Sequence, residues 1–380
     1  MKKVLFFITL LCIPFIVSAN ELTKNAKSAI LIEASTGKIL YEKNSHEKLA
    51  PASMTKIMSM LLIMENIDSG IIKWDDKVVT SKNASDMGGS QILLEEGEVM
   101  TVKELFKGIA IASGNDAVVS LAEYISGSEE EFVKEMNNKA KELGLKDTNF
   151  KNPHGLDVSD HYSSAYDMSI IAKELLKHEE VLKYTSIYED YLRKGTNREL
   201  WLVNTNKLIK FNKYVDGLKT GYTKEAGYCL TATAKKDNLR LISVVMGEEE
   251  INLRNQETTE LLNYGFSKYK SKEVLNKNTI IDKLDLELAD NKANIVPKES
   301  YSVVSDKKSK IGKITYKLHL NNINIPVKKG EKIGYITIKE NNKEIKDIDV
   351  TVDNNIKKAN LLKLYGRYLK SIVNGDLMIK

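Results

Sequence analysis

Cysteine is almost missing from this chain: of 380 residues only Cys12 and Cys229 carry a thiol. Cys12 falls in an N-terminal apolar stretch that reads as a removable leader, so one thiol remains and no intrachain disulfide can form. Cys229 sits in the apolar run Tyr228-Cys229-Leu230, which fits a buried thiol better than a reactive one. Histidine is scarce too. His46, His154, His161, His178 and His319 show neither H-E-x-x-H nor paired spacing, which argues against a zinc peptidase, and no metal or cofactor is expected. An excess of one charge is also lacking, with 57 Lys and Arg against 52 Asp and Glu. Removing the leader with Lys2 and Lys3 lowers the formal charge from +5 to +3, so the chain is not a nucleic-acid binder by composition.

What is present begins with the leader itself. Lys2 and Lys3 precede an apolar core over 4–17, and Val17-Ser18-Ala19 offers a cleavage site before Asn20. Residues 1–19 are therefore expected to be a signal peptide and the protein to be exported. A membrane anchor is the alternative, but the run is shorter than the ~20 residues a spanning helix needs. Leu10-Leu11 before Cys12 do not make a lipobox.

The remaining length suits more than one domain. Apolar strands over 29–32 and 39–41 flank Ser35-Thr36-Gly37-Lys38, a hairpin pattern. Residues 55–64 are apolar on nearly all sides, as in a buried helix. Thr101-Val102-Lys103-Glu104 reads as a capping box opening a helix to Ala112. Further helices are expected at 116–125, 130–143 and 165–177. Strand patterns at 229–234 and 239–246, turning at Lys236-Asp237-Asn238, precede a helix over 254–269. Strands at both ends of a helical middle predict an α+β domain with a mixed sheet and a helical cluster, over 20–272. Residues 273–352 alternate like a small all-β domain without an acid–base cluster. The tail over 353–380 predicts an amphipathic helix from Ile356 to Val373, with Leu361, Leu362, Tyr365, Tyr368, Leu369 and Ile372 on one side and Lys363, Arg367 and Lys370 on the other. It would either lie in a membrane interface or pack on its own domain.

Three short motifs carry the chemistry: Ser53-Met54-Thr55-Lys56, Ser113-Gly114-Asn115 and Lys219-Thr220-Gly221. Pro51 suits a helix start, and residues three apart share a helix face, so Lys56 can reach Ser53. A serine needs a base to become a nucleophile. Burial among methionines and a nearby Lys219 would lower the Lys56 pKa enough for it to serve. Ser113 could relay a proton, and Asn115 has a donor and an acceptor for a substrate amide. Gly221 would let a substrate backbone approach the strand, while Lys219 and Thr220, with Arg254 as a second cation, could hold an anion. Taken singly, each motif is equally a capped helix or a solvated strand edge.

In this order the motifs resemble the serine-type D-alanyl-D-alanine carboxypeptidases, penicillin-binding proteins of low molecular mass. Leu49-Ala50-Pro51-Ala52, Ile111-Ala112, Asn152-Pro153-His154-Gly155-Leu156, Asp216-Gly217-Leu218 and Ala226-Gly227-Tyr228-Cys229-Leu230 extend the likeness over 25–270. The resemblance implies a β-lactamase/transpeptidase-like catalytic domain. It also implies Ser53 as the residue acylated by the penultimate D-Ala of a peptidoglycan stem peptide, Lys56 as base and Ser113 as relay. Asn115 would bind the peptide amide. Lys219, Thr220 and Arg254 would hold the terminal carboxylate, and the N–H groups of Ser53 and Tyr222 the oxyanion. β-Lactams would acylate the same serine. Tyr222 stands where some members carry histidine. A β-lactamase shares the first steps, yet no E-x-x-L-N phrase occurs between Asn115 and Lys219. A transpeptidase would use the same motifs, as would a catalytically silent peptidoglycan-binding protein with the same cleft.

Overall fold

The computed structural model describes residues 22–374; the expected leader and the last residues of the tail, 375–380, lie outside them. The N-terminal hairpin forms as antiparallel strands Ser28–Glu33 and Ile39–Lys43. Gly37 at its tip has φ +73°, a region in which a side chain would strain the backbone. The Glu33 carboxylate fixes that tip by accepting from the Ser35 and Thr36 amides.

Strand Ser28–Glu33 is buried along its whole length, as a strand must be when both faces of its sheet are covered. It lies between Ile39–Lys43 and Leu239–Glu248, followed outward by Gly227–Lys236 and Val215–Thr223. Terminal strands therefore do meet. The expected mixed sheet is corrected, because every pairing in it is antiparallel. Tight connections dictate this for the consecutive strands: Lys236-Asp237-Asn238 joins one pair with Asp237 at φ 53°, and parallel neighbours would need long crossovers. The pairing of Ser28–Glu33 with Leu239–Glu248 is antiparallel without such a turn.

One face of the sheet packs on the helical cluster, the other on helix Ile251–Lys268. At the centre of the cluster runs helix Lys56–Asp68, with Ile57 through Met64 all buried. Its sequence has no polar stripe because it has no wet side. The Thr101 capping box forms reciprocally with Glu104. Helix Val102–Lys107 then widens into a π-helical turn, Gly108–Ala112. The other expected helices appear as Asn115–Ser126, Glu129–Glu142 and Ala165–Leu175.

After Lys268 the chain turns to strands. Tyr269–Leu275 pairs with Tyr301–Asp306. A second five-stranded sheet follows in the order Asp282–Leu284, Ala293–Pro297, Lys343–Val352, Gly334–Glu340, Ile314–Leu320, with its own apolar core. The tail helix spans Leu361–Asn374 and begins later than the pattern from Ile356 suggests. The reason is that Ile356 is buried and its backbone bridges Val327.

Candidate active site

Ser53 lies in a 3-10 turn, Ala52–Thr55, that leads into the buried helix. Lys56 follows one turn later, fully buried, with Nζ 3.1 Å from Ser53 Oγ. The amine also donates to Asn115 Oδ1 at 2.6 Å and to the His154 carbonyl at 2.8 Å. All three contacts are to neutral groups. Burial, and next the charge of Lys219, push the Lys56 ammonium well below its usual pKa, against a smaller pull from Asp116. Asp116 is otherwise occupied, accepting from the amides of Ile92 and Leu94.

The His154 carbonyl is the partner that sequence reasoning missed. Its only signal is the phrase Asn152-Pro153-His154-Gly155-Leu156, which carries the family likeness without declaring a role. Asn152 Oδ1 accepts from the Gly155 amide at 2.6 Å and so bends the loop. Gly155 has φ +89°, and a Cβ there would lie 1.9 Å from the Ala52 carbonyl oxygen. The glycine lets this loop press on the nucleophile turn and deliver a carbonyl to Lys56. Ser59 holds it from the helix side by donating to the Pro153 carbonyl. The nearby imidazole of His161, bonded to Thr55 Oγ1, is lowered to about 4 by burial.

The π-helical turn ends at Ser113, which adopts φ +66°. π-Turns are common at functional sites because they re-aim the residues that follow. Ser113 Oγ is buried and makes no hydrogen bond among the described residues. Asn115 differs from expectation. Its Nδ2 donates to the Gly88 carbonyl at 2.6 Å while its Oδ1 is held by Lys56, so both ends of the amide are engaged. The segment around 88–94 folds over it, with Ser90 accepting the Asn115 backbone amide.

Lys219, Thr220, Gly221 and Tyr222 lie on strand Val215–Thr223. Gly221 is needed for a reason other than substrate approach: a Cβ would sit 2.7 Å from the Pro51 carbonyl oxygen and 3.1 Å from Ala52 Cβ. The strand thus packs directly on the Ser53 turn. Lys219 is buried and donates only to the Thr220 carbonyl at 3.0 Å. Thr220 Oγ1 bonds Thr205 Oγ1 at 2.7 Å, a second residue not picked out from sequence. Arg254, on helix Ile251–Lys268, is buried and donates to Asn255 Oδ1. Burial, then the charge of Arg254, lowers Lys219 to about 7, and burial lowers Arg254 to about 10. Two buried cations with no carboxylate partner among the described residues make a receptor for an anion. Tyr222 points outward, half exposed, and stacks on Tyr228 at 4.3 Å between centroids. Cys229 is buried, its thiol raised to about 11 by burial, as an inert core residue should be.

A serine turn wedged between a glycine strand and a glycine loop, with a buried amine beside the hydroxyl, defines a serine hydrolase of the penicillin-binding class. Comparison with known proteins agrees. The D-alanyl-D-alanine carboxypeptidase family model matches residues 15–250, and that of the penicillin-binding protein 5 C-terminal domain matches residues 269–358. The chain is 53% identical over 350 residues to the D-alanyl-D-alanine carboxypeptidase DacF of Bacillus subtilis, covering 92% of this chain and 90% of that one. The structure of penicillin-binding protein 5 from Haemophilus influenzae superposes with a TM-score of 0.68 at 31% identity, covering 88% of this chain and 98% of that one. Penicillin-binding protein D2 of Listeria monocytogenes, in its ampicillin-bound form, gives 0.57 at 32% identity, covering 63% and 97%. The chain belongs to the D-alanyl-D-alanine carboxypeptidase family.

Proposed function

We propose that Ser53 is the residue acylated by peptidoglycan stem peptides ending in D-Ala-D-Ala, with Lys56 as its base. The observation that carries this is the set of partners around Lys56 Nζ. A neutral amine has two N–H bonds and one lone pair. Here it meets two carbonyl acceptors, Asn115 Oδ1 and His154 O, and one hydroxyl, Ser53 Oγ. With both N–H groups donated to the carbonyls, the lone pair is left for the Ser53 proton.

Attack then forms the bond from Oγ to the penultimate carbonyl carbon as the Oγ proton moves to Nζ. The C–N bond breaks as a proton reaches the departing D-Ala amine. Ser113 Oγ is suited to pass it on, since it is buried beside the site with no protein partner of its own among the described residues. Lys219, Thr220 and Arg254 hold the terminal carboxylate, and the N–H groups of Ser53 and Tyr222 receive the developing oxyanion. Asn115 positions Lys56 and, by displacing its bond to Gly88, the substrate amide. Water attacks the resulting ester to free the shortened peptide. A β-lactam enters by the same first step, in keeping with the ampicillin-bound relative.

The same reading assigns 20–272 to the catalytic domain, 273–352 to a β-rich spacer or interaction domain and 353–380 to a membrane-associating tail. It places the exported protein peripherally on the outer face of the cell membrane. In support, Leu361 and Leu362 are more than four-fifths exposed. The cationic side of that helix is turned to the β domain, with Lys363 on Asp290 and Arg367 on the Ala289 carbonyl. Although Tyr368 on the other side bonds Glu287, Leu361, Leu362 and Tyr365 are left exposed for lipid. Release of D-Ala from a D-Ala-D-Ala peptide tests the assignment of the site: it should vanish in Ser53→Ala and fall at least about a hundredfold in Lys56→Ala. Turnover undiminished in Ser53→Ala would place the nucleophile elsewhere.

A further inference from the structure

We infer that the C-terminal β domain carries a second binding site, for a polyanionic chain of phosphodiesters. A groove of ≈ 450 Å³ opens there between the loop after Tyr269–Leu275, the end of Ala293–Pro297, the turn at 329–330 and the end of Lys343–Val352. Lys277, Lys298 and Lys329 line it from three separate segments. None of the three makes an ion pair among the described residues. Elsewhere in the domain Lys292, Lys332 and Lys339 are paired with Asp285, Asp349 and Glu344. The groove's one carboxylate, Asp353, is spent on the Asn294 backbone amide at 2.8 Å and side-chain amide at 2.7 Å. Those amides hold Asp353 ionised, so the lining sets three positive charges against one negative.

The lysines are also held in place. The backbone amide of Lys277 donates to Ser300 Oγ, that of Lys298 to the Asp349 carbonyl, and that of Lys329 to Asn355 Oδ1. Fixed backbones lose less freedom when the side chains close on a ligand. The rest of the lining mixes apolar Ile280, Val296, Pro297 and Val352 with polar Asn278 and Thr351. Cations set among carbon surface match a chain in which phosphates alternate with short carbon linkers. A groove this size would hold several such units. A flat bilayer surface fits a recessed groove poorly.

Charge over the whole chain points the same way. Residues 273–352 hold 15 Lys and Arg against 12 Asp and Glu, a small excess, and residues 20–272 hold 34 against 38. A polyanion is drawn to the β domain and kept from the catalytic one.

The test is titration of the full chain with a synthetic poly(glycerol phosphate), at low and high salt. Lys277→Glu, Lys298→Glu and Lys329→Glu together should weaken binding at least about tenfold at low salt. A control triple on exposed lysines elsewhere in the domain, Lys308→Glu, Lys317→Glu and Lys343→Glu, should change it less than about twofold. Covalent labelling by a penicillin and D-Ala release from a short peptide should be unchanged in both, which shows that the variants fold and keeps this site separate from the catalytic reading. Equal loss in both triples, or equal affinity for poly-glutamate of the same charge, would overturn the groove in favour of diffuse attraction. Loss of binding to phosphatidylglycerol vesicles without loss of the polymer would also overturn it, making the patch a lipid contact.

Discussion

Lys219 shows what the site costs and what it gains. Its folded pKa of about 7 lies below the usual lysine value of 10.5. Between those values the unfolded chain binds more protons than the folded one, so stability rises with pH across that window. Lys219→Met should accordingly raise the melting temperature near pH 7, by ~2–4 °C for each kcal/mol recovered. The same variant should raise KM for a peptide with a free terminal carboxylate. A melting temperature that fell would show that Lys219 is not destabilised by burial. Gly155 is the opposite case, a residue required by the backbone: Gly155→Ala should cost about 3 kcal/mol or more in a urea melt and abolish D-Ala release, because no side chain escapes the Ala52 carbonyl. At this scale the sequence was partly legible. Spacing of three put Lys56 beside Ser53, but nothing local marks His154 as the residue whose carbonyl shares that lysine, nor Gly88 as the acceptor of Asn115. Those contacts join segments far apart in the chain and belong to tertiary packing. The reason for Gly221 was hidden likewise, since it lies in the turn across from it.

Among the elements, the end of strand Leu239–Glu248 and helix Ile251–Lys268 share a buried pair of carboxyls. Neither Glu248 oxygen has a donor among the described residues. Burial, then the neighbouring Glu257, pushes Glu248 up to about 8. Glu257 stays low and clips the N-terminal segment by accepting from the amides of Asn25 and Ala26. A raised carboxyl pKa means the folded chain binds more protons, so stability is lost as pH rises from ~4.5 through about 8. Glu248→Gln keeps a donor facing Glu257 and removes that titration. Its melting temperature should match wild type near pH 5 and exceed it increasingly up to pH 9; a constant offset would contradict the raised Glu248 pKa. The tail helix carries its own test. A chain ending at residue 353 should no longer sediment with lipid vesicles, and retained binding would remove the helix as anchor. The helix was legible from its two-sided pattern. Its start was not, because pairing of Ile356 with Val327 outcompetes helix formation there. Short turns made the consecutive strands antiparallel, but the direction in which Ser28–Glu33 meets Leu239–Glu248 was not legible, because the whole helical middle lies between them.

For the molecule as a whole, composition changes near residue 270 from helical periods to alternation, and buried residues between Leu275 and Ile356 form an apolar cluster of their own. The order of the motifs was legible because each is bound to a fixed element: a buried helix start, a π-turn and a strand. What the sequence could not show is that strand Val215–Thr223 and the Gly155 loop both close on the Ser53 turn, so that Ser53, Lys56 and the proposed anion site come together. That convergence is the central claim, and the intact mass of the mature protein before and after exposure to benzylpenicillin tests it most directly. Wild type should gain the mass of one penicillin, and Ser53→Ala should gain none. An unshifted wild type, or an adduct that persists in Ser53→Ala, would contradict it.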